Sequence, residues 1–150
     1  MPRAPINALV FPYRQARKDY EYAIFRRSDS PDEFWQGISG GAEDDETPME
    51  AAIRESWEEG RIPSNKHFTQ LDSTCTMPAS IYRGTGWGPE IYVVREYSFG
   101  VDTGDHDIVV SEEHTDYRWL SLEDAQAIVK FPSNSHALGE LSQRIQRDDL

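Results

Sequence analysis

GGAEDDETPMEAAIRESWEEG, Gly40 to Gly60, places eight carboxylates in twenty-one positions and almost no large aliphatic residue. Its second half reads as a helix with a firm start. Thr47 followed three residues later by Glu50 forms a capping box, and Pro48 stands at the first helical position, where a missing N–H costs nothing. At ~100° per residue, Met49, Ala52, Ile53 and Ser56 share one side, with Trp57 at the edge of that buried side. Glu55, Glu58 and Glu59, at i, i+3 and i+4, share the other. Like charges at these spacings cost a few tenths of a kcal/mol per pair. They also crowd the helix C-terminus, where the macrodipole disfavours negative charge. Placement that is locally unfavourable points toward function. Oxygen ligands with no His or Cys beside them suit Mg²⁺ or Mn²⁺ rather than zinc. On these grounds alone a cation site and a solvated acidic face both stay open.

The surrounding chain narrows the function class. A length of 150 residues, with 37% hydrophobic and 11% aromatic content, predicts a single folded domain over 1–150. A net charge of −12 opposes unaided binding to nucleic acid or anionic membrane, and a polyphosphate ligand would need cations to bridge it. The lone Cys75 excludes an intrachain disulfide, fits a reducing compartment and reads as a small core residue. The first residues lack the pattern of a secretory signal, and no segment approaches the ~20 apolar residues of a membrane span. The expected location is cytoplasmic.

Strand-like segments precede and follow the acidic helix. Ile6–Tyr13 is an apolar run expected to end or bulge at Pro12, and Glu21–Arg27 is a second strand. Trp35–Gly41 reads as a short strand breaking into a glycine turn. HFTQLDSTCTM and EIYVVREYSFGV alternate like strands and flank a glycine-rich loop, Gly84–Gly88, that holds Trp87. DYRWL is a further strand. Ser121 caps a helix, and SNSHALGELSQRI supplies a last one. This order predicts an α+β fold, a mixed sheet with helices packed on it.

Gly40, five residues, Glu46, seven residues and then RESWEEGRI closely resembles the Nudix hydrolase signature. Gly40, Glu46, Arg54, Glu55, Glu58, Glu59 and Ile62 match. Ser56 stands where an aliphatic residue is usual. Arg61 stands where the signature has glycine, with Gly60 one place early as the residue expected to permit the helix exit. The resemblance implies an α/β/α sandwich around a mixed β-sheet and hydrolysis of nucleoside diphosphates linked to another moiety. It further implies divalent cations, Mg²⁺ or Mn²⁺, on Glu55, Glu58 and Glu59. Glu55 is also a candidate for activating water, and the Ser39 carbonyl is an added ligand. Arg54 would orient the glutamates, and Glu46 would support the loop and helix.

Shorter stretches, RRSDSPDEFWQGISGG, EEHTDYRWLSLEDA and SNSHAL, look like the branch that cleaves dATP or dihydroneopterin triphosphate. The glutamate of the EH…YRWL stretch, Glu113, matches a base or metal ligand of that branch, with Glu112 expected to be inert. Diadenosine-tetraphosphate hydrolases share a similar stretch. Pro78, sixteen residues beyond Ile62, keeps ADP-ribose hydrolases as an alternative. A Nudix module that binds a nucleotide without cleaving it is a further alternative, although such binders commonly lose the carboxylates present here. The expected partner is a small nucleoside or pterin polyphosphate, and a homodimer is compatible with the reading. Arg27 is a candidate for holding phosphate, and Tyr82 and Trp87 for stacking on a base; Trp35 reads as core. The four histidines show no ligand spacing, although His114 follows Glu113.

Overall fold

The computed structural model describes residues 3–27, 33–82, 86–112 and 114–150. The described residues form one mixed sheet of seven strands. Its spine is β1 (Arg3–Ala16), which pairs in parallel with β6 (Val93–Asp102) from Ile6 to Tyr13. On its other side β1 first meets β4 (Ile38–Glu43), as far as Val10, and then β2 (Asp19–Arg27), from Tyr13 onward. Pro12 therefore neither ends nor bulges the strand, contrary to the expectation from sequence. It lies where β1 exchanges one antiparallel neighbour for the next, so its missing N–H interrupts neither ladder. β3 (Trp35–Gln36) and β7 (His114–Leu120) pair with β2, and β5 (His67–Pro78) pairs with β6.

Alternation along β1 builds two cores. Ala8 and Val10 face α1 (Pro48–Gly60) and pack with Ala51, Ala52 and Ile62. Leu9, Phe11 and Tyr13 face α2 (Leu122–Ile128) and α3 (Pro132–Gln146), where they meet Ala125, Leu138 and Leu141. The result is the expected helix–sheet–helix sandwich. No helix among the described residues is long and apolar enough to cross a membrane.

The helix start follows the local code. Thr47 Oγ1 accepts from the Glu50 amide (3.1 Å), and Glu50 Oε1 accepts from the Thr47 amide (3.0 Å). Three other expectations need correction. Gly40 and Gly41 lie inside β4 rather than in a turn. Trp57 is 49% exposed, because the helix packs through its alanines and through Glu55, Ser56 and Glu59. Cys75 is only partly buried, and its thiol donates to Glu96 Oε1 (3.4 Å) instead of joining a core.

The helix exit differs as well. Gly60 is the last helical residue, and Arg61 itself adopts the left-handed conformation, at φ 54°. That conformation costs a residue with a Cβ roughly 1–2 kcal/mol, partly offset by the Arg61 guanidinium lying 5.2 Å from the Trp57 ring centre. Arg61→Gly is therefore expected to raise the unfolding free energy by about 0.5–1 kcal/mol in urea titrations. A loss of stability would mean that the stacking outweighs the strain.

Candidate active site

The sequence places Arg54 one residue before Glu55 and four before Glu58, and the fold brings β4 and its following turn against it. Arg54 Nε donates to Glu46 Oε2 (2.8 Å) and Nη2 to Glu46 Oε1 (3.0 Å), a two-pronged pair. Nη2 also reaches the Gly41 carbonyl (2.9 Å). Nη1 donates to Glu55 Oε1 (2.9 Å) and Glu58 Oε2 (3.1 Å). Glu46 closes the arrangement by accepting from the Glu43 amide (2.8 Å), and the Arg54 guanidinium holds its carboxyl below the usual range. One guanidinium thus ties the loop before α1 to two of the three glutamates, offsetting the repulsion that their spacing creates.

Glu55, Glu58 and Glu59 each offer an oxygen within 4.8 Å of the others. Their settings differ. Glu58 is exposed, whereas Glu55 and Glu59 are buried. Glu59 Oε2 accepts from Ser111 Oγ (2.6 Å) and lies 3.1 Å from Nδ1 of the buried His114. Glu55 lies flat on Gly40: a Cβ built there would overlap its carboxylate. The glycine is therefore a spacing device, not a turn residue. An oxygen-only set of this kind fits a hard divalent cation.

Burial pushes the Glu55 carboxyl up to about 7, against the pull of Arg54 and with help from Glu58 and Glu59. Between the ordinary value of 4.5 and about 7 the folded protein holds a proton that the unfolded chain has released. Stability from this group therefore falls as pH rises through that window. Without divalent cations, Glu55→Gln is expected to be more stable than wild type, by on the order of 2 kcal/mol at pH 8 and by little at pH 4.5. Urea unfolding in EDTA at the two pH values measures this; an equal margin at both would contradict it.

Beside the glutamates, on the α3 side of the sheet, opens a cavity of about 500 Å³. Ser39 and Gly40 form its border toward Glu55. Arg27 and Tyr82, the candidates from sequence for holding phosphate and stacking on a base, both line it. Trp87 does not line it. Trp87 Nε1 donates to the Arg3 carbonyl (2.7 Å), and its ring borders a smaller recess shared with Tyr82. Trp35 packs at the edge of the α2–α3 core beneath Arg118, whose guanidinium lies 4.7 Å from its ring centre. Glu113 lies outside the described residues; Glu112 beside it is exposed.

A family model described as NUDIX domain matches residues 4–141. The chain belongs to the Nudix family. It is a Nudix hydrolase, similar over 77% of its length, at 34% identity, to the dihydroneopterin triphosphate diphosphatase of Haemophilus influenzae, 74% of which is covered. It is 31% identical to the RNA pyrophosphohydrolase of Cereibacter sphaeroides over 84% of this chain and 87% of that one. Among solved structures, a NUDIX hydrolase of Listeria monocytogenes superposes with a TM-score of 0.86 at 34% identity, covering 97% of both chains. The E. coli dihydroneopterin triphosphate pyrophosphohydrolase superposes with 0.77 at 29%, covering 95% of this chain and 98% of that one.

The two departures from the Nudix signature are accommodated locally. Ser56 is fully buried under the helix, and Arg61 turns the chain without glycine. Sequence reasoning missed Asn7 and Glu96, polar residues 3% and 6% exposed that line the cavity. A signal was present for Glu96: it shares the strand phase of the buried Val94 and Ser98, an inward position that an acid seldom holds without a partner.

Proposed function

We propose that this Nudix hydrolase is a divalent-cation-dependent pyrophosphohydrolase acting on dihydroneopterin triphosphate or a nucleoside triphosphate. The observation that carries the reading is the junction at Gly40, where the carboxylate cluster meets a cavity large enough for a ring system. Glu55, Glu58 and Glu59, with the Ser39 carbonyl, would hold Mg²⁺ or Mn²⁺. When bound, the cation supplies charge neutralisation on the phosphate oxygens and activation of the attacking water.

The protein's own residues do the positioning. Arg54 fixes Glu55 and Glu58 so that they need not reorganise on binding. Arg27 offers a cation to a phosphate at the cavity border, and Tyr82, its ring under the Arg3 guanidinium, lines the cavity farther along. Glu55, buried at the junction of the cluster and the cavity, is the candidate to take a proton from the attacking water. Glu113 is the alternative base. A net charge of −12 favours a small substrate entering with its cations over a long RNA backbone.

The test is a panel with Mg²⁺: dihydroneopterin triphosphate, the deoxynucleoside triphosphates, triphosphorylated RNA, ADP-ribose and dinucleoside polyphosphates. The expected products are pyrophosphate and a monophosphate from a small triphosphate, with none formed in EDTA. Turnover confined to ADP-ribose, dinucleoside polyphosphates or RNA overturns the reading, as does absence of turnover.

A further inference from the structure

We infer that Glu96, within the cavity, reads the substrate's ring and selects a 2-amino-4-oxo edge, as in a pterin or guanine, over an adenine edge. The inference rests on the pyrophosphohydrolase reading above and adds the class of ring. It makes Glu96 a specificity-determining residue remote from the phosphates.

The hydrogen bonding around Glu96 defines what it can accept. Oε2 accepts from Asn7 Nδ2 (2.8 Å), and Oε1 from the Cys75 thiol (3.4 Å). Asn7 is held in this orientation from both ends. Its Oδ1 accepts from Arg3 Nη2 (3.0 Å), and its Nδ2 donates also to Ser39 Oγ (3.0 Å). Turning the amide over would set two acceptors against each other at Glu96 and two donors against each other at Arg3. Both Glu96 oxygens are thus fixed as acceptors, and each keeps lone-pair capacity for a ligand. Burial raises the Glu96 pKa, while Asn7 and Cys75 oppose that rise by stabilising the carboxylate.

Two adjacent acceptors pair best with two parallel N–H donors, the geometry of fork-like carboxylate pairs. A 2-amino-4-oxo ring presents that pair: a ring N–H beside an exocyclic amino group. The corresponding edge of adenine presents an amino N–H beside a bare ring nitrogen, whose lone pair would face a carboxylate oxygen. A buried acceptor left against a lone pair is penalised far more than a good bond is rewarded. The cavity supplies the remaining needs of a flat ring. Tyr82, Met77 and Phe131 line it with apolar and aromatic surface, and Gly40 joins it to the Glu55 carboxylate where the phosphates would lie.

The experiment compares kcat and KM for dihydroneopterin triphosphate, dGTP and dATP, in wild type and Glu96→Gln, with inorganic tripolyphosphate as a substrate lacking a ring. Wild type is expected to favour the first two over dATP by about 10-fold or more in kcat/KM. Glu96→Gln should lower kcat/KM for those two by about 100-fold, chiefly through KM, leave tripolyphosphate within about two-fold, and leave dATP unchanged or improved, since the amide can donate to the bare ring nitrogen. Equal losses on all substrates, or a wild-type preference for dATP, would overturn the inference. Competitive binding to the cation-free wild type separates this outcome from failure of the parent reading. If no triphosphate is hydrolysed, tighter binding of 2-amino-4-oxopteridine than of adenine still supports the role of Glu96, and equal binding overturns it.

Discussion

Glu58→Gln is expected to lower kcat by about 100-fold or more at saturating Mg²⁺ while leaving the fold intact. Glu58 is the cleanest member of the cluster to change. Its side chain is 48% exposed and makes an ion pair with Arg54, which keeps its contacts to Glu46 and Glu55 without it. The exposed pair contributes little to stability, and removing one of three neighbouring negative charges near a helix C-terminus relieves repulsion. Thermal unfolding in EDTA should therefore be unchanged or shifted upward. Glu59→Gln should be comparably inactive but less neutral for the fold, because Glu59 is buried against Ser111 and His114. Retention of near-full cation-dependent activity by Glu58→Gln would remove the metal-site assignment.

Gly40→Ala should also cost about 100-fold in kcat, from a single methyl group that touches no substrate. Its Cβ would occupy the space of the Glu55 carboxylate. Glu55 is a flexible side chain, so the clash is relieved by moving its carboxyl end rather than by opening the sheet. Arg54, however, holds that end in place from the other side (2.9 Å), and the displacement breaks the alignment of the cluster. Near-wild-type melting together with a large kcat loss is the expected signature. Equal losses in both would show that Gly40 serves the packing of β4 instead.

Where the sequence could be read, the interactions concerned were short in range. Thr47, Pro48 and Glu50 dictate where α1 begins, since a capping box closes within one helical turn. The spacing of Glu55, Glu58 and Glu59 sets them on one flank for the same reason, whatever the rest of the chain does. Alternation in the β5 and β6 segments identifies strands, and the order of strands and helices along the whole chain leads to the right fold class. The Nudix signature added the partners of Arg54, because its spacing encodes contacts that local periodicity does not.

Other features depended on residues far apart in the chain. Which glutamates are buried was decided by Ser111 and His114 closing over Glu59 and by Gly40 lying under Glu55. Helical periodicity alone places all three on one flank without telling a cation site from a solvated face, and assigns Trp57 to the buried edge. Pro12 reads as a strand breaker until the exchange of neighbours along β1 leaves a place for it. Asn7 and Glu96 are 89 positions apart and meet only because β1 and β6 run side by side in parallel. Arg61 is tolerated in a left-handed conformation where the helix exit meets the chain beyond it, its carbonyl lying 2.8 Å from His106 Nε2. The sequence by itself determined the helix that carries the carboxylates and the family to which the chain belongs, because those depend on spacing within a few turns. The cavity, the burial that moves Glu55 toward neutrality and the orientation of Glu96 were decided by tertiary structure alone, because desolvation and cross-strand hydrogen bonds exist only once distant strands have paired.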